Sequence, residues 1–386
     1  MKPTYPNTPL VAVRSLQSEH HANNLPPDIL HVTWMLGKRC NYDCSYCTPH
    51  IHDAVSPHIS LEFVQAFADK IDRFAQQNNR TVQFVITGGE PFIHPQIFKI
   101  LQTLASVKNR TPELTSITNG SLTLDRYEKC LQYLSNLTIS LHLEQSQRKI
   151  DHVINNIVSL HKNYNRFITV NLMCVAGKMN QWQKISEIFN QHNIKHVLRR
   201  IRPNFDENYN LRQPGDHLRD RSYAKLSVKE QKKHKNTYKI QRSNHLLSLY
   251  DQYYNSEELE WLRRNSPKEW YQNLGVWYQD GSYVEGNSDD LLTQDRTVFT
   301  GWTCGAGIDS IYIDFDGTIY RGYCGNQGEI GHISQDLTLP DQPTICNKPV
   351  CASQPDIVTR KCLPGYESLI GINTSATPGS SDVGSK

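Results

Sequence analysis

The sequence lacks a long apolar run, a strong charge imbalance and an apolar signal core at its start. Its net charge is +3 with a pI near 8.2, too small an excess to indicate a nucleic-acid binder by itself. No stretch approaches the roughly 20 apolar residues of a membrane span. The first thirty residues carry five prolines in place of a signal core, so a cytoplasmic protein without a membrane span is expected.

Cysteine is abundant by contrast. Ten cysteines occur among 386 residues, and the cytosol keeps thiols reduced, so disulfides are not expected. Seven of the ten fall in two clusters, which indicates metal binding. With 38% hydrophobic and 20% charged residues, the composition is that of a folded globular protein with one large core and an attached module.

Short β-rich runs alternate with helical patterns between residues 29 and 201, which predicts repeated βα units around a parallel sheet, and so an α/β fold. Apolar residues at helical spacing follow Ser60, a predicted N-cap. The strand runs are mostly apolar, as expected for parallel strands covered on both faces. The six predicted strands are Ile29–Leu36, Thr81–Thr87, Leu114–Thr118, Leu137–His142, Ile168–Cys174 and His196–Ile201.

The chain after residue 203 has a different character. Residues 204–274 are predicted to be a polar connector, basic between Lys225 and Arg242, that ends in a helix after Asn255. Two hairpin signals, at Asp280-Gly281 and Asp316-Gly317, then predict a small β-containing module over 275–367. Residues 1–28 are taken as an N-terminal extension and residues 368–386 as a disordered tail.

The first cysteine cluster is Cys40, Cys44 and Cys47, with spacing Cys-x3-Cys-x2-Cys directly after the first predicted strand. Three thiolates this close in sequence can hold one iron–sulfur cluster and leave the fourth iron open to another ligand. A structural zinc site is the alternative, although zinc wants four ligands and usually two Cys-x2-Cys pairs.

This loop resembles the one that defines the radical S-adenosylmethionine (SAM) superfamily, with Tyr46 as the aromatic residue before the last cysteine. The resemblance implies a partial (β/α)6 barrel over residues 29–203. It also implies a [4Fe–4S] cluster whose open iron binds SAM, and reductive cleavage of SAM to a 5′-deoxyadenosyl radical that abstracts hydrogen from a substrate. A reductant such as flavodoxin or ferredoxin is an implied partner.

Further segments resemble SAM-binding elements of that family. Gly88-Gly89-Glu90 ends the second strand, where Glu90 could accept from the SAM ammonium. Asn119 and Ser140 lie at the ends of the third and fourth strands, where the family contacts ribose and carboxylate. A turn at Asn119 and a purely structural His142 remain open alternatives.

The second cluster comprises Cys304, Cys324, Cys346 and Cys351. The segment from Cys304 through Cys324 resembles the opening of the auxiliary-cluster extension called SPASM, or twitch in its shorter form. The resemblance implies a second [4Fe–4S] cluster, while a four-thiolate zinc site remains the alternative. Cys362 could be a ligand or a bystander.

The predicted function is radical modification of a peptide or protein. RNA, a nucleoside or a small metabolite is the alternative substrate, since the basic stretch would suit phosphates. A zinc-binding interaction protein is the non-enzymatic alternative. No catalytic residue is assigned, and Asp314, Asp316 and Arg199 are candidates near the mouth of the fold.

Overall fold

The computed structural model describes residues 8–16, 28–47, 52–164, 168–201, 203–204, 211–215, 252–265, 274–293, 296–351 and 353–371. No helix within these ranges is long and apolar enough to cross a membrane. The helices are α1 Leu61–Gln77, α2 Ile97–Ala105, α3 Leu124–Leu131, α4 Gln147–Tyr164, α5 Met179–Gln191, α6 Ser256–Asn265, α7 Ser288–Thr293 and α8 Gln354–Ile357. The strands are β1 Leu10–Ser15, β2 Asp28–Met35, β3 Arg80–Thr87, β4 Arg110–Thr118, β5 Asn136–His142, β6 Ile168–Cys174, β7 His196–Arg200, β8 Leu274–Tyr278, β9 Tyr283–Gly286, β10 Thr303–Cys304, β11 Ser310–Ile313, β12 Thr318–Tyr320, β13 Glu329–His332, β14 Thr344–Ile345 and β15 Lys361–Cys362.

A nine-stranded sheet organises the mixed α/β fold. Strands β2 to β7 are parallel and lie in sequence order, with a helix from α1 to α5 in each crossover. All six predicted strands are present, with ends that differ by at most four residues from the predicted ones. Ser60 caps α1 as predicted, because its hydroxyl accepts from the N–H of Phe63 at 3.3 Å. Because strands β2 to β7 are parallel, their carboxyl ends lie at one edge of the sheet.

The two faces of this sheet differ. Side chains that point toward the helices, such as Leu30, Phe84 and Ile139, are fully buried in the main core. Along β3 the buried positions alternate with partly exposed ones, among them Gln83 and Thr87. The expectation of strands that are apolar on both faces is therefore wrong, because the second face carries polar side chains and no helix from the described residues covers it.

The C-terminal β-strands extend the same sheet. Strand β11 pairs parallel to β2, and β12 and β13 follow in antiparallel order. The hairpin predicted at Asp316-Gly317 is thus an extension of the parallel sheet beside its first strand. This arrangement brings residues distant in sequence next to the loop that follows β2.

A second, antiparallel sheet has the strand order β14-β10-β15-β1-β8-β9. Strand β1 lies at its centre, between β15 and β8. The N-terminal segment therefore belongs structurally to the C-terminal unit, which the division at residue 28 did not anticipate. Val11, Ala12 and Val13 are buried there.

The connector is described only in part. Residues 216–251, which contain the basic stretch, lie outside the described residues. The predicted helix begins at Ser256, where Asn255 and Glu258 exchange side-chain to backbone hydrogen bonds of 3.0 and 2.9 Å, the pattern of a capping box.

The chain end departs from its prediction. Disorder from residue 368 is wrong for the first residues of the tail, since a 3-10 turn spans Glu367–Ile370. Ile370 is buried against Ala12 and Cys362, and this burial orders the segment. Residues 372–386 lie outside the described residues.

Candidate functional site

The first cysteine loop follows β2 and is held from its far side by Asp53. The backbone N–H of Cys40 donates to the Asp53 carbonyl at 2.8 Å, and the Asp53 N–H donates to the Lys38 carbonyl at 3.0 Å. The Lys38 ammonium, fully buried, lies 3.4 Å from the Asp53 carboxylate. An ion pair behind the loop thus fixes the position of the first cysteine.

The end of β3 packs directly on this loop through two glycines. Gly89 donates to the carbonyl of Gly37 at 2.8 Å, and Glu90 to that of Arg39 at 2.9 Å. A Cβ atom on Gly88 would lie 2.5 Å from the Gly37 oxygen, and one on Gly89 would overlap the loop backbone. The expected close approach is therefore an approach of backbone to backbone, which positions the cysteine loop.

Glu90 has structural partners for most of its carboxylate. It accepts from the Phe92 N–H at 3.0 Å, the Thr118 hydroxyl at 2.8 Å and the Asn119 N–H at 2.6 Å. Burial raises the pKa of Glu90 to about 7, against the effect of these hydrogen bonds. A carboxylate has about four lone-pair sites, so roughly one remains for the SAM ammonium that the sequence assigned to Glu90.

Asn119 lies beside the first thiol. Its side-chain amide is 3.8 Å from the Cys40 sulfur and donates to the Asn41 side chain at 2.8 Å. The N–H of Tyr42 also points at the Cys40 sulfur, at 3.4 Å. Donors aimed at sulfur stabilise a thiolate, so the structure places Asn119 around the cluster loop.

The side chains of Tyr46 and His142 contact each other at the carboxyl end of β5. The Tyr46 hydroxyl lies 2.6 Å from Nδ1 of His142, and the two rings stack at 5.9 Å. The same nitrogen lies 3.5 Å from the sulfur of Cys44. Burial lowers the pKa of His142 to about 4, so the ring is neutral at pH 7. Ser140, buried two residues earlier on the same strand, lies on the same sheet face.

Glu144 anchors the middle of the loop, a residue that the sequence did not single out. Its carboxylate accepts from the Ser45 N–H at 2.7 Å and from the Ser45 hydroxyl at 2.5 Å. Asn204 adds a bond of 3.3 Å to the Ser45 carbonyl. Glu144 follows β5 by two residues, and only the parallel order of the strands brings it to Ser45.

The three thiols suit a bound cluster. Burial raises the pKa of Cys40 to about 12. Burial also raises the pKa values of Cys44 and Cys47, with further increases from Cys47 and Cys40 at Cys44 and from Cys40 at Cys47. Thiols in such surroundings stay protonated at neutral pH unless a metal group replaces the protons. The donor set therefore fits an iron–sulfur cluster that binds with release of protons.

The four C-terminal cysteines meet in the second sheet region. Burial raises the pKa of Cys351 to about 12, with smaller increases from Cys304 and Cys346. Burial likewise raises the pKa of Cys324, with smaller increases from Asp356, Cys351 and Cys304. Thiols 5 to 47 residues apart in sequence are thus close enough to interact.

Burial raises the pKa of Cys362, with smaller increases from Glu367 and Cys304, but its side chain lies on the other face of the sheet from Cys304. On β15 Cys362 is paired with Thr303, while Lys361 is paired with Cys304. Neighbouring residues of a strand point to opposite faces, so Cys362 turns away from Cys304 and packs with Ala12.

A zinc ion at either cysteine set needs its thiolates about 2.3 Å from one point. Among the described residues, no three Cys, His, Asp or Glu side chains converge in this way. A four-iron cluster binds each thiolate to a different iron, so its ligands stay farther apart.

The three candidates near the mouth have separate environments. Asp314, buried, accepts from the Tyr312 hydroxyl at 3.2 Å, and Asp316 accepts from the Thr318 N–H at 3.0 Å. Arg199 donates to Asn171 at 2.9 Å on the neighbouring strand. These contacts do not bring the three side chains to one point.

The tip of the β11–β12 hairpin reaches the cysteine loop. The ring of Phe315 lies 4.8 Å from the Lys38 ammonium. The Tyr312 hydroxyl donates to the Met35 sulfur at 3.0 Å. The C-terminal strands therefore contact the segment that leads into the first cysteine loop.

A cavity of about 560 Å³ lies between the polar face of the parallel sheet and the C-terminal unit, within the size range of small-molecule sites. His31 on β2 is one wall residue, and burial lowers its pKa while Gln83 acts against this by a hydrogen bond. The wall also includes the Asp309–Arg360 ion pair of 2.5 Å. Its other lining residues are Arg14, Ser15, Ile29, Thr33, Val85, Thr115, Ser310, Pro355, Val358, Thr359, Ile370 and Gly371.

Comparison with known proteins assigns a family to the part of the chain that contains the first site. The family model described as the radical SAM superfamily matches residues 34–195, a span that holds the cysteine loop, the glycine pair and strands β3 to β6. Residues 34–195 are a radical SAM domain. The prediction of a radical SAM superfamily enzyme is confirmed at the level of this domain.

Curated relatives cover only part of the chain. GTP 3′,8-cyclase 1 of Mycobacterium tuberculosis is 32% identical over 114 residues, which are 28% of this chain and 31% of the relative. An S-adenosylmethionine-dependent nucleotide dehydratase of Psychrobacter lutiphocae is 27% identical over 110 residues, 26% of this chain and 36% of the relative. The chain thus spans about a third of the length of the curated relatives it matches.

Solved structures align over more of the chain. Native anSMEcpe with bound AdoMet matches with a TM-score of 0.44 and 16% identity over 80% of this chain and 79% of the other. Streptococcus suis SuiB bound to S-adenosylmethionine matches with a TM-score of 0.44 and 15% identity over 81% of this chain and 65% of the other.

Proposed function

We propose that this protein is a radical SAM enzyme whose Cys40, Cys44 and Cys47 hold a [4Fe–4S] cluster at the carboxyl edge of a partial (β/α)6 barrel. The observation that carries the proposal is the position of three interacting thiols, of which that of Cys44 is buried, on one loop inside a radical SAM domain. When bound, the cluster and SAM supply a one-electron cleavage that yields methionine and a 5′-deoxyadenosyl radical.

The residues around the loop hold it in place for this chemistry. Asp53 and Glu144 fix the backbone on either side of Cys44, and Gly88 and Gly89 let β3 pack against the loop. Asn119 donates toward Cys40. A loop fixed in advance does not pay the entropic cost of ordering when the cluster and SAM bind.

The second cysteine set supports an auxiliary [4Fe–4S] cluster on Cys304, Cys324, Cys346 and Cys351, as in a SPASM or twitch extension. The donor chemistry fits, since these four thiols interact and Cys362 points away. The Asp356 carboxylate accepts a hydrogen bond from the Cys324 N–H at 2.6 Å. This bond fixes the backbone at one of the four cysteines.

A peptide or protein is the first proposed substrate, by analogy with enzymes that carry such extensions. Streptococcus suis SuiB bound to precursor peptide SuiA is one peptide complex among the structural neighbours. A reductant such as flavodoxin or ferredoxin and a cytoplasmic location complete the proposal.

A nucleotide or small metabolite is the second candidate. Two relatives are named for nucleotide substrates. The matched segments cover less than a third of this chain, so the relatives bear on the chemistry more than on the substrate.

The proposal is tested by anaerobic incubation with SAM and dithionite, with 5′-deoxyadenosine as the product measured. Wild-type protein should form it, and Cys44→Ala should reduce it to background. Cys130→Ala, a buried cysteine of α3 outside both sets, should retain it. Product formation by Cys44→Ala at the wild-type rate would refute the cluster assignment. A rate increase on addition of GTP would favour the nucleotide substrate over the peptide.

A further inference from the structure

A buried lysine faces the second cysteine set. Lys361 is 1% exposed and is the cross-strand partner of Cys304 on the antiparallel strands β10 and β15. Directly opposite residues on such strands have Cβ atoms about 4.5–5.5 Å apart on the same face. The Lys361 side chain therefore shares its face of the sheet with one of the proposed ligands.

The ammonium of Lys361 is fixed by backbone carbonyls. It donates to the carbonyls of Asp356, Ile357 and Thr359 at 2.6, 3.0 and 2.6 Å, around the end of α8. Its nitrogen also lies 5.1 Å from the ring of Phe299. All three ammonium donors are thus satisfied, and the positive charge is held at one place.

A buried ammonium needs a compensating negative charge, because an uncompensated ion in the interior costs several kcal/mol or more. Asp356 carries one carboxylate nearby, but both its oxygens accept from the N–H groups of Tyr323 and Cys324 at 2.9 and 2.6 Å. The Asp356 carboxylate keeps its charge while it accepts these bonds, and four thiolates around a cluster would place further negative charge beside the ammonium. Lys361 in turn acts against the burial effect on the pKa values of Cys304 and Cys351.

We propose that Lys361 is a positioning residue that raises the reduction potential of an auxiliary iron–sulfur cluster on Cys304, Cys324, Cys346 and Cys351. The inference rests on the proposed function of that cysteine set. Reduction adds one electron to the cluster, and a fixed positive charge nearby stabilises the more negative state. The Asp356 carboxylate lies beside Cys324, and its negative charge would lower the reduction potential.

The size of the effect follows from the charge and its surroundings. A unit charge several ångströms away at an effective dielectric of about 20 shifts the reduced-to-oxidised ratio by about tenfold or more. A tenfold change corresponds to about 59 mV for a one-electron couple. Such a shift is measurable by spectroscopically monitored redox titration.

The experiment uses full-length protein that carries Cys40→Ala, Cys44→Ala and Cys47→Ala, so that only the C-terminal set binds iron. Redox titration with EPR detection then compares Lys361→Gln and Lys361→Met with the parent, and Lys361→Arg as the variant that keeps the charge. Gln retains donors for the carbonyls, which separates charge from hydrogen bonding. Lys348→Met is the matched control, because Lys348 is only partly buried and lies two residues from Cys346.

Lys361→Gln and Lys361→Met should each lower the reduction potential of the cluster by at least about 59 mV, the equivalent of a tenfold change in the reduced-to-oxidised ratio. Lys361→Arg and Lys348→Met should leave the potential near the parent value. A neutral variant with iron and the parent potential would overturn the inference and leave the proposed cluster intact. A neutral variant that loses its iron while Lys361→Arg retains it would replace potential tuning with an assembly role. Parent protein with zinc or no redox-active iron at this set would overturn both the auxiliary cluster and the inference.

Discussion

The two cysteine sites are built in different ways. The first uses three cysteines within eight residues, on a loop held mainly by backbone contacts from the ends of neighbouring parallel strands. The second gathers four cysteines across 48 residues, and the buried charges of Asp356 and Lys361 lie beside them. In the first site, closely spaced cysteines lie on one loop whose geometry is held mainly by backbone hydrogen bonds. In the second site, widely spaced cysteines are brought together by long-range strand pairing, next to the buried side chains of Asp356 and Lys361.

This difference predicts that each site can be damaged without the other. A change in backbone packing at β3 should affect only the first site. A change in the charge of Asp356 or Lys361 should affect only the second. The following variants test that separation, from the largest expected effect to the smallest.

Gly89→Ala should have the largest effect. Its Cβ would overlap the carbonyl oxygens of Lys38 and Arg39, and relief requires the cysteine loop to move, at a cost of about 3 kcal/mol. Iron measured per chain should fall by about four, with the second site still loaded. Gly37→Ala is the control, because a Cβ there meets nothing within 4 Å. Equal iron in the two variants would contradict the packing role.

Asp356→Asn should destabilise the second site. One amide oxygen cannot accept from both Tyr323 and Cys324, so an N–H is left facing an NH2 group, at a cost of about 1–3 kcal/mol. Chemical denaturation should report the loss, and iron at the first site should stay unchanged. Asp341→Asn, at an exposed position, should leave both quantities as in the wild type.

Acid should weaken the first site through His142. Burial lowers the pKa of His142 to about 4 from 6.5, so the unfolded chain binds the proton first. The stability contribution is therefore complete above pH 6.5 and is lost as the pH falls toward 4. One pKa unit corresponds to about 1.4 kcal/mol, and solvent near the partly exposed ring reduces the total to about 1–2 kcal/mol.

Unfolding free energies measured between pH 4 and 7 test this prediction. His142→Gln should flatten the profile, since the amide still accepts from Tyr46 but does not titrate. A variant profile with the wild-type slope would show that other groups cause the acid loss.

Cys362→Ala should have the smallest effect. Because Cys362 packs with Ala12 on the far face of β15, removal of its sulfur should cost about 1 kcal/mol and leave iron at both sites unchanged. Cys346→Ala, by comparison, should remove the iron of the second site. Loss of iron in Cys362→Ala would add this cysteine to the ligand set.

Local patterns in the sequence predicted much of this structure. The six parallel strands follow from β-rich runs, and the capping box at Asn255 and Glu258 follows from adjacent residue types. The role of Glu90 as a partner of Asn119 could not be predicted, because it depends on which strand ends become neighbours. The place of β1 beside β15 likewise joins segments almost 350 residues apart.

The contacts of the charged side chains near the cysteines could not be predicted from the sequence for the same reason. Lys361 reads as an ordinary polar residue until β15 pairs with β10. Glu144 reads as a loop residue until β5 and the cysteine loop are adjacent. Composition and spacing identify the thiols, whereas their charged and hydrogen-bonding neighbours emerge only from the folded topology.

Iron, acid-labile sulfide and zinc per chain in anaerobically purified protein test the central claim most directly. With one [4Fe–4S] cluster on each cysteine set, about eight irons and eight sulfides per chain are expected, and about four of each in the Cys40→Ala, Cys44→Ala and Cys47→Ala protein. Zinc in place of iron at the loop after β2 would contradict the account, and the proposed radical chemistry with it.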